Sequence, residues 1–278
     1  MLKQRVITAI CLALVFLAFL FAPAPASILF FSLVVAIAAW EWADMAGLSG
    51  AMRVPYAIAV SLVMAACWGW LGAQGDMDIY AVRTLLGWAC AAWAILLLWV
   101  MGYPGSAAIW GSVPSRVFLG FVVLVPAWLG LVLLRQQPAG SWLILYVIAL
   151  VACADIGAYF AGRAFGKHKL APAVSPGKTL QGLAGGLTAV AAFALLVSQL
   201  ALPEAIGALP FLVLSLITGL ASVLGDLVES MVKRHRGIKD SSQLLPGHGG
   251  FMDRIDSLSA AIPVFAFGVT VLLTRGGA

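Results

Sequence analysis

Charged side chains are scarce in this chain, and those able to do chemistry gather in its last third. Asp226 follows a long uncharged stretch, and Glu229, Ser230 and Lys233 come three, four and seven residues later. At 3.6 residues per turn these four share one stripe of a helix. The stripe leads into a basic segment containing Arg234 and Lys239. Gly247, Gly249 and Gly250 follow, where the backbone can turn sharply and approach a ligand closely. Asp253 and Asp256 then stand three apart at the start of another helix, on one face of it. Hard carboxylate oxygens beside phosphate-binding lysines are what Mg²⁺ and a triphosphate require. Asp226, Asp253 and Asp256 are therefore the candidate metal ligands, with room for a second ion. Together with Lys233 they are the candidate catalytic residues. The plainer alternative, that Asp253 and Asp256 merely suit a helix dipole, leaves unexplained the carboxylate Asp226 within an apolar run.

Other polar groups carry less. Asp155 interrupts an apolar stretch, where a carboxylate faces a cavity or a partner. Gly177-Lys178-Thr179 resembles the end of a phosphate-binding P-loop, but Pro172 occupies the position that motif reserves for glycine, and no strand is predicted before it. Lys178 remains a point charge for phosphate. His168, His235 and His248 are too dispersed for a zinc site, though His248 sits between glycine-bearing turns and could meet phosphate. The four cysteines lie singly in apolar stretches and read as packing residues. Glu41 and Asp44 read as solvated or paired charges at a helix end.

The elements that must position these groups are membrane helices. Of 278 residues, 63% are apolar and 10% charged, and the mean hydropathy is +1.06. Soluble domains carry roughly 25% charge, so one closed aqueous core is excluded. The fold class is all-α: a polytopic bundle of about nine spanning helices, over 6–22, 27–46, 55–72, 80–101, 114–134, 141–161, 180–201, 207–230 and 255–274. Turn-formers separate them at Pro23 and Pro25, Gly47–Gly50, Gly72–Gly75, Gly102–Gly105, Pro138–Gly140 and Pro203. Lys3 and Arg5 ahead of the first segment, with small residues behind it, are signal-like, but with so many spans following, an uncleaved first helix is expected. With the N-terminus inside, thirteen of sixteen basic residues face the cytoplasm, and only Arg83, Arg135 and Arg275 fall outside. Residues 1–140 form N-terminal transmembrane helices. Residues 141–278 form a catalytic region whose loops 162–179 and 231–254 share the cytoplasmic face.

The stretch 230–256 resembles the signature of the phosphatidate cytidylyltransferase family. Ser230 and Lys233-Arg234 are followed by Lys239-Asp240, and then by Pro246-Gly-His-Gly-Gly-Phe-Met-Asp-Arg-Ile-Asp256. Asp155 to Tyr159 and Gly162 to Thr179 are similar to an upstream loop of the same family, so the likeness covers 155–274. It implies attack of phosphatidic acid on the α-phosphorus of CTP, giving CDP-diacylglycerol and pyrophosphate for phospholipid biosynthesis. It also implies Mg²⁺ as cofactor, and substrate contacts at Ser175, Lys178, Thr179, Ser230, Arg234, Lys239, Asp240, His248, Gly249, Gly250 and Arg254. The partners are then CTP, inner-leaflet phosphatidic acid and membrane lipid, with no nucleic acid; a homodimer is a further candidate. The place is a bacterial inner membrane, with the site facing the cytoplasm. A CTP-dependent lipid kinase is the nearest alternative. A transporter would spread its polar residues over both halves, and a CDP-alcohol phosphotransferase would need an aspartate-rich signature that is missing here.

Overall fold

The protein is described from a computed structural model, covering residues 2–72, 77–201 and 207–276. Gly75 and Pro203, two of the expected turn positions, lie outside the described residues. Ten helices and one small hairpin follow in chain order. They are α1 (Leu2–Leu20), α2 (Ala24–Met45), α3 (Gly50–Trp70), α4 (Ile79–Met101), α5 (Ala107–Trp110), α6 (Val113–Gln136), α7 (Gly140–Phe165), β1 (Lys169–Ala171), β2 (Ser175–Thr179), α8 (Leu180–Ala201), α9 (Ala208–Arg236) and α10 (Met252–Gly276). Eight of the helices are long and apolar enough to cross a membrane, and α1 adds a shorter apolar segment over Val6–Leu20. Large apolar side chains such as Leu29, Trp88 and Phe118 stand mostly exposed on the outside of the bundle. In water that surface would be costly; facing lipid it is expected. The chain is a polytopic helical membrane protein.

Two elements depart from the apolar reading. The last two spans reach further toward each other than expected: α9 runs to Arg236 and α10 begins at Met252, so Lys233 and Arg234 are helical and the loop shrinks to 237–251. Gly237 sets the end of α9. Its φ of 79° places it in the left-handed region, where its N–H and that of Ile238 return to the carbonyls of Arg234 and Lys233. The loop 162–179 also folds into an antiparallel hairpin, with Lys169 opposite Thr179 and Ala171 opposite Ser175. A strand therefore does precede α8, contrary to the expectation, although Pro172 still breaks the P-loop pattern. Periodicity could not show this hairpin, because its strands are three and five residues long and largely polar. Thr179 Oγ1 accepts the Gly182 N–H and so caps α8, while Gln181 Oε1 accepts the N–H groups of Lys167 and His168. The hairpin is thereby fixed to the α8 N-terminus, with Lys178 turned toward α9.

Small residues allow the helices to approach closely where the polar groups meet. On α7 and α8, Gly157, Gly185 and Gly186 face Ala189, Ala161 and Ala154, leaving no space for a side chain. On α9, a Cβ at Gly225 would overlap the carbonyl oxygen of Asp256 in α10. That contact brings Asp226, the next residue, against the first turns of α10. The N-terminal half supports the far end of α9: Arg236 Nε donates to the Asp44 carbonyl at 3.1 Å, and His235 Nε2 lies 3.1 Å from the Gly111 carbonyl.

Gly225→Ala should therefore lower thermal stability in detergent, by about 1–3 kcal/mol for an overpacked contact, and should impair the site beside it. Gly69→Ala, where an added Cβ meets nothing within 4 Å, should leave the melting temperature near wild type. Equal stability of the two variants would show that the α9–α10 contact is not tight.

Candidate functional site

Three carboxylates converge between α9 and α10. Asp226, Glu229 and Asp256 each offer an oxygen, and these oxygens lie within 4.8 Å of one another. Asp226 and Glu229 are on the predicted stripe of α9, and Asp256 arrives from α10 by the Gly225 contact. Like charges this close repel strongly in a poorly solvated place, and neighbouring cations offset that repulsion. Lys178 of β2 is ion-paired with Asp226. Lys233 is ion-paired with Glu229 one turn before it. Glu229 is 1% exposed, and apart from the Lys233 ammonium neither of its carboxylate oxygens has a partner among the described residues. An all-oxygen, all-carboxylate set with unclaimed buried lone pairs fits a hard divalent cation.

Asp253 has a different set of partners. One of its oxygens takes the Lys233 ammonium at 2.6 Å. The other accepts the Gly250 N–H at 2.8 Å, the Ser241 N–H at 3.0 Å and the Ser241 hydroxyl at 3.0 Å. Thus Asp226 and Asp256 come together as expected, but the third carboxylate beside them is Glu229, while Asp253 anchors Lys233 and the glycine loop. The signal for Glu229 was present in its spacing: it lies on the same stripe, one turn beyond Asp226.

The remaining expected residues fall into two groups. Lys178 and Thr179 line a cavity of about 380 Å³ with Asp155, Tyr159 and Arg163, and Ser175 begins the same strand. Arg234 Nε donates to the Val174 carbonyl at 3.3 Å, which ties α9 to the hairpin. Ser230 is half-buried beside Glu229 on α9. Lys239, Asp240 and Arg254 are exposed around the loop mouth. Gly249 takes a φ of 81° and bridges to Leu245. His248 is half-buried with its Nδ1 unpartnered. At Gly250 a Cβ would overlap Ser241 and Glu41. The four cysteines are unpaired.

Next to the polar cavity runs an apolar groove of about 840 Å³, bounded by Trp93 and Leu97 of α4, Val213 and Ile217 of α9, and Phe267 and Leu272 of α10. Leu170, Leu183 and Val223 line both spaces. Val213 and Ile217 are about half exposed on the lipid-facing surface. A cavity containing Arg163 and Lys178 is thus contiguous with an apolar groove on the membrane side.

The model of a family described as the cytidylyltransferase family matches residues 3–272. A phosphatidate cytidylyltransferase of Pseudomonas aeruginosa is 48% identical, covering 96% of both chains. One from Haemophilus influenzae is 41% identical, covering 96% of this chain and 98% of its own. One from Brucella suis is 42% identical over 72% of each.

Removing Lys233 would leave Glu229 buried with no counter-charge. Lys233→Ala should destabilise the protein by about 3–5 kcal/mol, the usual effect of breaking a buried pair. Adding Glu229→Gln should restore part of that loss, read as the midpoint of thermal unfolding in detergent. Additive losses in the double variant would mean the two side chains do not interact.

Proposed function

We propose that this chain, which belongs to the cytidylyltransferase family, transfers the cytidylyl group of CTP to phosphatidate in the membrane, giving CDP-diacylglycerol and pyrophosphate. The observation that carries the reading is the junction at Leu170, Leu183 and Val223. A substrate with a phosphate at one end and acyl chains at the other needs a cationic cavity continuous with an apolar groove reached from the bilayer. A soluble phosphate acceptor would need no such groove.

In the reaction a phosphatidate oxygen forms a bond to the α-phosphorus of CTP as the bond from that phosphorus to the bridging oxygen breaks. The bridging oxygen leaves with pyrophosphate. Such chemistry depends on positioning and charge neutralisation more than on a covalent intermediate. Lys178 and Arg163 are placed to receive the phosphate group of the lipid, whose chains extend along α4, α9 and α10. Lys233, held between Glu229 and Asp253, is placed to meet negative charge on the triphosphate. Arg234 and Lys239 add charge at the mouth. Asp226, Glu229 and Asp256 would hold Mg²⁺, which when bound supplies further neutralisation of the triphosphate. Lys178 is paired with Asp226, and Lys233 with Glu229. The two segments beside the site, 162–179 and 231–254, together hold nine of the sixteen basic residues, and the curated relatives are bacterial. Both features support a bacterial inner-membrane location with the site open to the cytoplasm.

Purified protein supplied with CTP, Mg²⁺ and phosphatidate in mixed micelles should release pyrophosphate, and diacylglycerol in place of phosphatidate should give none. Consumption of CTP with diacylglycerol and release of CDP would instead identify a lipid kinase. Glu229→Gln and Asp256→Asn should each lower turnover by about 100-fold or more, since even outer partners of a metal site are worth roughly 10- to 100-fold. Near-normal turnover in both at saturating Mg²⁺ would show that these carboxylates do not serve the reaction.

A further inference from the structure

Glu41 lies on α2, in the half of the chain whose composition shows no chemistry, yet it is fully buried. No basic side chain pairs with it among the described residues. Its charge is met instead by four donors, three from the segment that joins α9 to α10 and one from the first residue of α10. Oε1 accepts the Ser242 hydroxyl at 2.6 Å and the Phe251 N–H at 3.0 Å. Oε2 accepts the Met252 N–H at 2.6 Å and the Ser241 hydroxyl at 3.1 Å. Phe251 and Met252 present the unsatisfied N–H groups that open α10, and a carboxylate there also suits the helix dipole. Glu41 is therefore an N-terminal cap for α10 delivered from another helix. Gly250 is left without space for a side chain by the same approach.

The contacts continue into the site. Ser241 Oγ stands between Glu41 Oε2 and Asp253 Oδ2, at 3.1 and 3.0 Å, so one hydroxyl proton is shared between two carboxylates. Asp253 follows Met252 directly, and Asp256 lies one turn further along α10. Asp253 in turn holds Lys233. Moving the start of α10 would move Asp253, Lys233 and Asp256 together.

We propose that Glu41 is a positioning residue for nucleotidyl transfer. It fixes the segment 241–252, and through Ser241 and the α10 N-terminus it sets Asp253, Lys233 and Asp256 without touching substrate. The proposal rests on the reading of the α9–α10 site as the transfer centre. A purely structural Glu41 would support stability alone. A positioning Glu41 must also govern turnover, with little effect on the lipid-binding groove, whose lining side chains come from α4, β1, α8, α9 and α10 and include none from α2.

Glu41→Gln keeps the size but turns an NH₂ group toward two donors. In the full-length protein it should lower kcat for pyrophosphate release by about 10- to 100-fold, the weight of losing hydrogen bonds to a buried charged group, with KM for phosphatidate near wild type. A second readout needs no activity. On a background with the native cysteines replaced, maleimide labelling of Leu244→Cys, at an exposed position in the segment, should accelerate in Glu41→Gln. Labelling of Lys169→Cys in the hairpin should not change. Should Glu41→Gln fail to fold, Ser242→Ala removes one of the same donors, and should give a smaller fall in kcat with faster Leu244→Cys labelling. Wild-type kcat and labelling in whichever variant folds would overturn the proposal, as would a loss of stability whose folded fraction turns over normally. If the unmutated protein releases no pyrophosphate, the transfer reading fails, and the labelling rates still decide whether Glu41 holds the segment.

Discussion

The Lys233 ammonium lies between Glu229 and Asp253, all three poorly accessible to solvent. A buried charge without compensation costs several kcal/mol, so the elements carrying these groups are locked to one another. Glu229 and Lys233 sit one turn apart on α9, and Asp253 opens α10. The ion pairs therefore fix the axial register of two helices. Gly225 allows the approach that this register needs, by leaving space for the Asp256 carbonyl. Gly237 and the positive-φ glycines Gly247 and Gly249 let the intervening chain return within a short loop. Asp253 then accepts two N–H groups and a hydroxyl from that loop, so the loop is held by the same charge that the lysine requires.

The second constraint is access. The substrates of the proposed reaction differ in their phase: CTP is soluble, and phosphatidate is held in a leaflet by its acyl chains. Asp226 and Glu229 lie toward the C-terminal end of α9, whose Leu224 and Leu227 line the apolar groove and whose last turn carries Lys233, Arg234 and Arg236. The hairpin β1–β2 stands at that border. Its Leu170 contributes to both the polar and apolar spaces, while Lys178 reaches Asp226. A long apolar helix alone could not project a lysine into that position. The short strands can, because their ends are fixed by Gln181 and Thr179 of the α8 start.

Much of this was legible in the sequence because membrane helices must be long and apolar, and the spans follow from that requirement alone. The bounds of α4, α6 and α8 agree with the sequence reading to within a few residues. The stripe Asp226, Glu229, Ser230, Lys233 was legible for a similar reason: charge at depth in an apolar helix demands partners. Three features were not. The hairpin is too short and polar to leave a periodic signal. The division of roles between Glu229 and Asp253 depends on the rotation and offset of α10 against α9, which spacing along one helix cannot supply. Glu41 read as a solvated or paired helix-end charge because nothing within α2 marks the two serines and two N–H groups that meet it, some two hundred residues later in the chain.

The proposed divalent-cation site comprises Asp226, Glu229 and Asp256, with Asp253 outside it. Electron paramagnetic resonance of Mn²⁺ titrated into the purified, detergent-solubilised protein measures this directly, because bound Mn²⁺ disappears from the free-ion signal. The expected result is saturable depletion by the unmutated chain that is lost in Glu229→Gln and retained in Asp253→Asn. Depletion that survives Glu229→Gln and vanishes in Asp253→Asn would contradict the assignment and move the cation to the loop side of Lys233.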